Sequence, residues 1–198
     1  MKANFINVSF LTASKEKVQM KFKPFPEIIT ERLFLRRINE SDCDAILFLR
    51  SDKTINKFIK RPESEKTKNK ADSLKFIKKI NDGIENNNFI SWGITLKENS
   101  KIIGTICLWN FSKDNKKAEV GYDLNPLFQR KGIMGEALKN IIAFGFNELR
   151  LNKIEAFTHK ENESSKILLE KNGFIFMEQK KDEENSSNLI FEIEKTSN

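Results

Sequence analysis

The spacing of apolar and polar residues changes several times along the chain, and each change marks an element. Val18, Met20 and Phe22 alternate with Lys17, Gln19, Lys21 and Lys23, which predicts an edge strand that Pro24 and Pro26 end. The earlier apolar run Phe5–Leu11 reads as another short strand or a partner-contacting tail. Thr30–Arg36 predicts a further strand, with Leu33 and Leu35 on one face. The period then lengthens. Ser41 or Asp42 caps a short helix whose apolar side holds Ala45, Ile46, Phe48 and Leu49. Residues 51–64 are polar, and 65–85 predict a second helix with Leu74, Ile77 and Ile80 inward. Asp82-Gly83 and Asn86-Asn87-Asn88 mark its end.

Three strands follow as a meander: Phe89–Leu96, Lys101–Phe111 and Lys117–Leu124. Residues 134–149 carry Leu138, Ile141, Ile142, Phe144, Phe146 and Leu149, a helix apolar around much of its circumference and therefore buried against a sheet. The strand Lys153–Thr158 comes next, so strand, helix and strand imply a parallel pair with a right-handed crossover. Glu163–Lys171 is a short helix, and Gly173 suits the left-handed position after its end. Phe174–Gln179 and Leu189–Lys195 form a closing hairpin. The pattern holds no internal repeat and no second domain. It divides into an extension, 1–26, and a single domain, 27–198.

Composition narrows this frame. At 198 residues the chain supports one domain with a full core, and 38% hydrophobic with 32% charged residues describes a soluble protein. No apolar run approaches the roughly 18 residues that span a membrane. The N-terminal residues lack the apolar core of a secretory signal, so the expected compartment is the cytoplasm. Cys43 and Cys107 have no metal-like spacing and read as two thiols, and one histidine, His159, argues against a His-rich metal site. The net charge of +7 is uneven: residues 50–80 alone carry net +7 and residues 1–26 net +4. Such clusters bind polyanions or are solvated lysine faces.

The stretch Gly121–Ala137 carries the chemistry. An apolar strand runs into Asn125-Pro126, then a basic, glycine-punctuated loop opens a helix near Met134. That is a phosphate cradle. Glycine lets the backbone approach a ligand, and the first N–H groups of a helix have no internal partner. Gln129-x-x-Gly132-x-Met134 resembles the Q/R-x-x-G-x-G/A acyl-CoA loop of the GNAT N-acetyltransferases, with Met at the last position and Gly135 one residue later. Thr30-Glu31-Arg32-Leu33-x-Leu35-Arg36 followed by Asp44-Ala45 resembles the opening of the RimJ/RimL-like branch, the ribosomal-protein N-terminal acetyltransferases. Asn162-x-x-Ser165 and Glu170–Phe174 resemble the family's ending. The resemblance covers about residues 28–195.

The resemblance implies the GNAT acyl-CoA N-acyltransferase fold, an α+β, three-layer architecture with a central mixed, mostly antiparallel sheet flanked by helices. It implies acetyl-CoA as cofactor. The backbone from Gln129 through Ile133 and Met134 to Gly135 would bind the pyrophosphate, with Arg130 and Lys131 as phosphate partners. Strands Lys117–Leu124 and Lys153–Thr158 would splay, and the pantetheine amides would fill the gap like an added strand. Leu124 and Asn125 would line that gap, and Asn162 would bind from the far side or cap its helix.

For acid–base work, Glu119 in Glu119-Val120-Gly121-Tyr122 is the first candidate base and Glu155 the second. Leu169 stands where many family members place a tyrosine acid, so Ser165, or a water it holds, is the expected substitute. Tyr122 reads as a core or pocket-wall residue. Cys107 lacks a histidine partner, which disfavours a covalent route. The acceptor side would be residues 42–85, the basic part of the chain. That favours a protein or peptide α-amine, with a small-molecule amine close behind. A non-catalytic acyl-CoA-binding module and a nucleic-acid-binding protein remain as other readings. A membrane partner is not expected, and a homodimer is compatible with the pattern.

Overall fold

The computed structural model describes residues 22–59 and 61–196. The expected strand around Val18 and the run Phe5–Leu11 lie outside the described residues, apart from Phe22 and Lys23. Phe22 is fully buried, and its N–H donates to Asn87 Oδ1 at 2.9 Å. Trp92 Nε1 donates to the Pro26 carbonyl at 2.7 Å, so residues 22–26 lie against the domain.

One eight-stranded sheet forms the centre. Strands β1 (Ile28–Ile29) and β2 (Leu33–Arg36) start at one edge. Asn39 then caps a 3-10 turn, Glu40–Asp42, that leads into α1 (Cys43–Ser51). Asp42 is the N-cap residue of α1, but its side chain makes no cap hydrogen bond there, and the side-chain capping falls to Asn39 at the turn before it. Asp42 turns its carboxylate back to the Asn39 N–H and forms a bidentate pair with Arg36, at 2.7 and 2.8 Å. Helix α2 (Lys70–Glu85) begins later than the pattern predicts. Pro62 opens a separate 3-10 turn at Glu63–Glu65, and the Asn69 side chain caps α2 through Asp72 N–H. Ile77 and Ile80 are buried as expected, but Leu74 is 41% exposed and Phe76 packs in its stead.

The meander is β3 (Ile90–Leu96), β4 (Asn99–Trp109) and β5 (Lys117–Leu124), all antiparallel. Helix α3 (Ile133–Asn147) crosses to β6 (Lys153–His159), which pairs parallel to β5. Helix α4 (Glu163–Lys171) ends at Asn172, and Gly173 adopts φ +87°, the left-handed conformation its position predicts. The closing hairpin is shorter on its first side, β7 (Ile175–Phe176), and complete on its second, β8 (Asn188–Glu194). The order across the sheet is β1-β2-β3-β4-β5-β6-β8-β7, mixed and mostly antiparallel, as the family resemblance implies.

Strand alternation assigns the two faces. Trp92 meets Phe144 of α3 edge-on at 5.3 Å, and Leu108 and Ile154 abut Gly145 of α3. The other face carries Thr105 and Cys107 beside Ile46, Leu49 and Ile80 of α1 and α2. Fully burying each such aliphatic side chain contributes about 1.5–3 kcal/mol, and these two apolar layers hold the sheet between them.

Candidate active site

The site begins where two strands part. β5 and β6 pair only at Lys117/Lys153, Ala118/Ile154 and Glu119/Glu155. β5 continues along β4 to Leu124, and β6 continues along β8 to His159. Between the diverging halves lies a cleft of about 1790 Å³, lined by Val120–Leu124, Ala156–His159 and the starts of α3 and α4. A strand edge without a neighbour presents backbone N–H and C=O groups that need partners. An extended ligand carrying amides would supply them.

The cradle closes one end of the cleft. Asn125 caps a 3-10 turn at Pro126–Phe128 by accepting from Leu127 N–H at 3.0 Å. Arg130 (φ 59°) and Gly132 (φ 75°) are both left-handed, so the chain turns sharply into α3. The helical ladder starts with Glu136 N–H on the Gly132 carbonyl, at 3.0 Å. The N–H groups of Ile133, Met134 and Gly135 therefore have no helical acceptor, and these residues line the cleft. Such a donor set at the positive end of a helix dipole fits the pyrophosphate of an acyl-CoA. A Cβ added at Gly135 would meet only ordinary contacts, so closeness there is not forced by the protein itself.

The cradle is fastened from a distant part of the sequence. Glu136 accepts from Thr30 Oγ1 at 2.5 Å, Arg32 N–H at 2.8 Å and Arg32 Nε at 2.6 Å. Arg32 Nη1 also donates to the Lys131 carbonyl at 2.9 Å. Burial pushes the Glu136 carboxyl up, but the hydrogen bonds from Thr30 and Arg32 outweigh it and hold its pKa below the usual range. The Thr30–Arg36 motif and the loop motif are thus halves of one construction.

The candidate residues divide by position. Leu124, Gln129, Arg130, Gly132, Ile133, Met134, Gly135 and Asn162 line the cleft. Asn125 and Lys131 do not. The Asn125 N–H is engaged by the Ile103 carbonyl at 2.8 Å, and the Lys131 ammonium sits 5.7 Å over the Phe128 ring. Gln129 Nε2 donates to the Leu124 carbonyl at 3.1 Å. Asn162 caps α4 by accepting from Ser165 N–H at 3.3 Å.

Glu119 and Glu155 face each other across the last paired position but differ in company. Glu155 is buried, with Lys117 at 2.9 Å and Lys180 at 3.4 Å. Glu119 is half-buried and accepts from the Asn110 side-chain amide. Burial raises the Glu119 pKa above the ordinary glutamate value, the Asn110 bond opposes it, and nearby Glu155 adds to the rise.

On the opposite face of β5, Tyr122 Oη lies 2.8 Å from Ser165 Oγ. Burial pushes the tyrosine pKa to about 12, so the phenol stays protonated at neutral pH. Leu169 is wholly buried in the core. A tyrosine hydroxyl thus reaches the cleft from β5 rather than from α4. The sequence offered one signal for this, since Tyr122 is the only tyrosine in the chain. Cys107 is free, and burial pushes its thiol to about 12, which leaves it no thiolate for a covalent step. The described residues hold no cluster of metal-ligating side chains and no helix long and apolar enough to cross a membrane.

A splayed β5–β6 pair with a helix N-terminus at its mouth defines the class of acyl-CoA-dependent acyltransferases. Residues 32–175 match the acetyltransferase (GNAT) domain model. The N-acetyltransferase p20 of Bacillus licheniformis is 32% identical over 147 residues, 74% of this chain and 81% of that protein. The ribosomal-protein-S5-alanine acetyltransferase of Vibrio fischeri superposes with a TM-score of 0.72 at 22% identity, covering 85% of this chain and 96% of its own. RimL, a ribosomal L7/L12 α-N-protein acetyltransferase solved with coenzyme A, gives a TM-score of 0.72 at 16% identity, covering 85% and 98%. The chain belongs to the GNAT family, and it is an acetyl-CoA-dependent N-acetyltransferase.

Proposed function

We propose that the acceptor is the α-amine of a protein or peptide, attacking the thioester directly. The observation that carries this reading is Glu119, a half-buried carboxylate at the fork of the sheet. An α-amine has a pKa of roughly 7.7–8.0 and is substantially neutral near pH 7.5, whereas a lysine at about 10.4 is not. A half-buried carboxylate with a raised pKa serves an amine that is already largely neutral better than a lysine that is not. The ribosomal-protein activities of the two solved neighbours support the same choice.

In this reading acetyl-CoA supplies the activated acetyl group, and the residues here position it. The N–H groups of Ile133–Gly135 hold its pyrophosphate, and Arg130 adds positive charge at the mouth. Val120–Leu124 and Asn162 hold its amide-bearing arm. A β5 N–H near Tyr122–Leu124 donates to the developing oxyanion. Glu119, directly or through water, accepts the amine proton. Ser165, hydrogen-bonded to Tyr122, returns a proton to the leaving thiolate. The two free thiols suit a reducing compartment, the cytoplasm.

Thiol release with acetyl-CoA tests the acceptor. Peptides with free N-termini are expected to turn over, and the same peptides blocked at the N-terminus but carrying internal lysine are not. Equal turnover of both sets, or turnover of small amines alone, would remove the α-amine reading.

A further inference from the structure

A second cavity, of about 300 Å³, lies on the α1/α2 face of the sheet. It shares Gly121, Tyr122 and Asp123 of β5 with the large cleft, so a ligand held in it lies next to the acetyl-transfer gap. Arg50, Arg61 and Lys79 line it, with Asp123 as its one acidic side chain. Lys79 is paired with Glu65 at 3.1 Å. The two arginines are not so matched.

The Arg50 guanidinium carbon lies 3.5 Å over the Phe76 ring centre, with Nε on Thr67 Oγ1 and Nη2 on the Glu65 carbonyl, each at 2.8 Å. That leaves Nη1 uncommitted by these bonds. Arg61 donates from Nη1 to the Asn56 side chain. Among the described residues neither has a carboxylate at ion-pair distance, whereas Arg32, Arg36 and Arg37 each have one. Asp123 attracts both guanidiniums, but from beyond ion-pair distance. Its carboxylate accepts from Thr105 N–H and Thr105 Oγ1, each at 3.0 Å. Two guanidiniums facing one small cavity with a single carboxylate, out of ion-pair reach, leave a positive charge there without a close partner. Burial lowers the pKa of both, that of Arg50 to about 10 with repulsion from Arg61 added, while the Asp123 and Glu65 carboxylates oppose the fall in each.

We infer that this cavity is the acceptor's acid pocket: Arg50 and Arg61 bind a carboxylate or phosphate that the acceptor carries a few bonds from its reacting amine. Planar guanidiniums suit such groups, and the Phe76 ring lies against that of Arg50. Asp123 lies on the same face of β5 as Glu119, two alternations along the strand, and attracts the ammonium as it enters. A neutral acceptor leaves the arginines unmatched. The volume fits one small side chain or a small free molecule. The same chemistry is therefore met by a peptide beginning with aspartate or glutamate, or by a free acidic amine. The inference rests on the amine-acetylation reading but not on the acceptor being a protein.

The full chain is assayed with saturating acetyl-CoA against peptides that differ only in their first residue, Asp, Asn or Ser. Free aspartate and phosphoethanolamine are run beside them. In the wild type the Asp peptide should exceed the Asn peptide in kcat/KM by about tenfold or more, the scale of a charge-assisted hydrogen bond. Arg61→Gln should abolish that preference, Arg61→Lys should keep part of it, and the KM for acetyl-CoA should not change. Calorimetric titration of N-acetylaspartate, which needs no turnover, should show binding to the wild type that weakens about tenfold in Arg61→Gln. Equal rates for Asp and Asn peptides, an Arg61→Gln loss shared by every acceptor, or no N-acetylaspartate binding would each overturn the inference. Acetylation of the free acids but of no peptide would remove the protein acceptor and leave the acid pocket standing. Acetylation of peptides regardless of acidity would do the reverse.

Discussion

Tyr122 and Ser165 meet across two elements, since Tyr122 Oη reaches Ser165 Oγ at 2.8 Å from the neighbouring strand. If the two hydroxyls deliver one proton, they act as a unit. Tyr122→Phe and Ser165→Ala should then each lower kcat by about tenfold or more, and the double variant should be no slower than the worse single one. Additive losses in single-turnover kinetics would separate the two groups. Glu119→Gln should lower kcat/KM by about a hundredfold, the usual scale of a lost general base. The sign of its pH dependence follows from its raised pKa. The base works when deprotonated, so the rate should climb as pH rises through a value above the ordinary glutamate range. That limb should be absent from the Glu119→Gln profile.

At the scale of elements, the start of α3 is held by β2's approach rather than by its own cap. Gly132 has no side chain to offer, and the anchoring falls to Glu136 with Thr30 and Arg32. Glu136→Gln should raise the KM for acetyl-CoA several-fold while leaving the acceptor KM alone. It should also cost about 1 kcal/mol in urea unfolding, the scale of a weakened, partly exposed hydrogen-bond set. Unchanged cofactor KM would mean that the cradle keeps its shape without the clamp. Much of this was legible: the loop motif and the Thr30–Arg36 motif stand out in the sequence, and α4 and β5 have the predicted bounds. The link between the motifs was not, because Glu136 and Arg32 are 104 residues apart and nothing in local pattern pairs them. Helix α2 starts later than its pattern predicts for a local reason. Pro62 and Asn69 each break the run, and the lysines between them fit a turn as well as a helix.

For the whole molecule, acid should act through the far side of the fork. Glu155 and Glu192 are register partners on β6 and β8, both buried, with Lys117, Lys153 and Lys180 around them. Burial raises the Glu192 carboxyl, but Lys180, Glu155 and Lys153 outweigh it and hold it at about 2. A depressed carboxylate contributes stability above its unfolded value, roughly 4.3, and loses it as pH falls towards the folded value. Urea midpoints should therefore be level from pH 7 to 5 and drop steeply from pH 4 to 3, and Glu192→Gln should flatten that drop. The same network keeps Glu155 occupied, while Glu119, one strand away, faces Asn110. From sequence Glu119 ranks first and Glu155 second only by motif, with nothing to show their surroundings. What the chain's own pattern determined was the set of elements, the family and the cofactor loop, because period, glycine and caps act over a few residues. What only the tertiary structure decided was the company each side chain keeps: Tyr122 with Ser165, Glu136 with Arg32, Glu155 with its lysines, and Arg50 and Arg61 around Asp123 without a close ion pair. Those pairings depend on where the sheet brings distant residues together and on how much water it leaves around them.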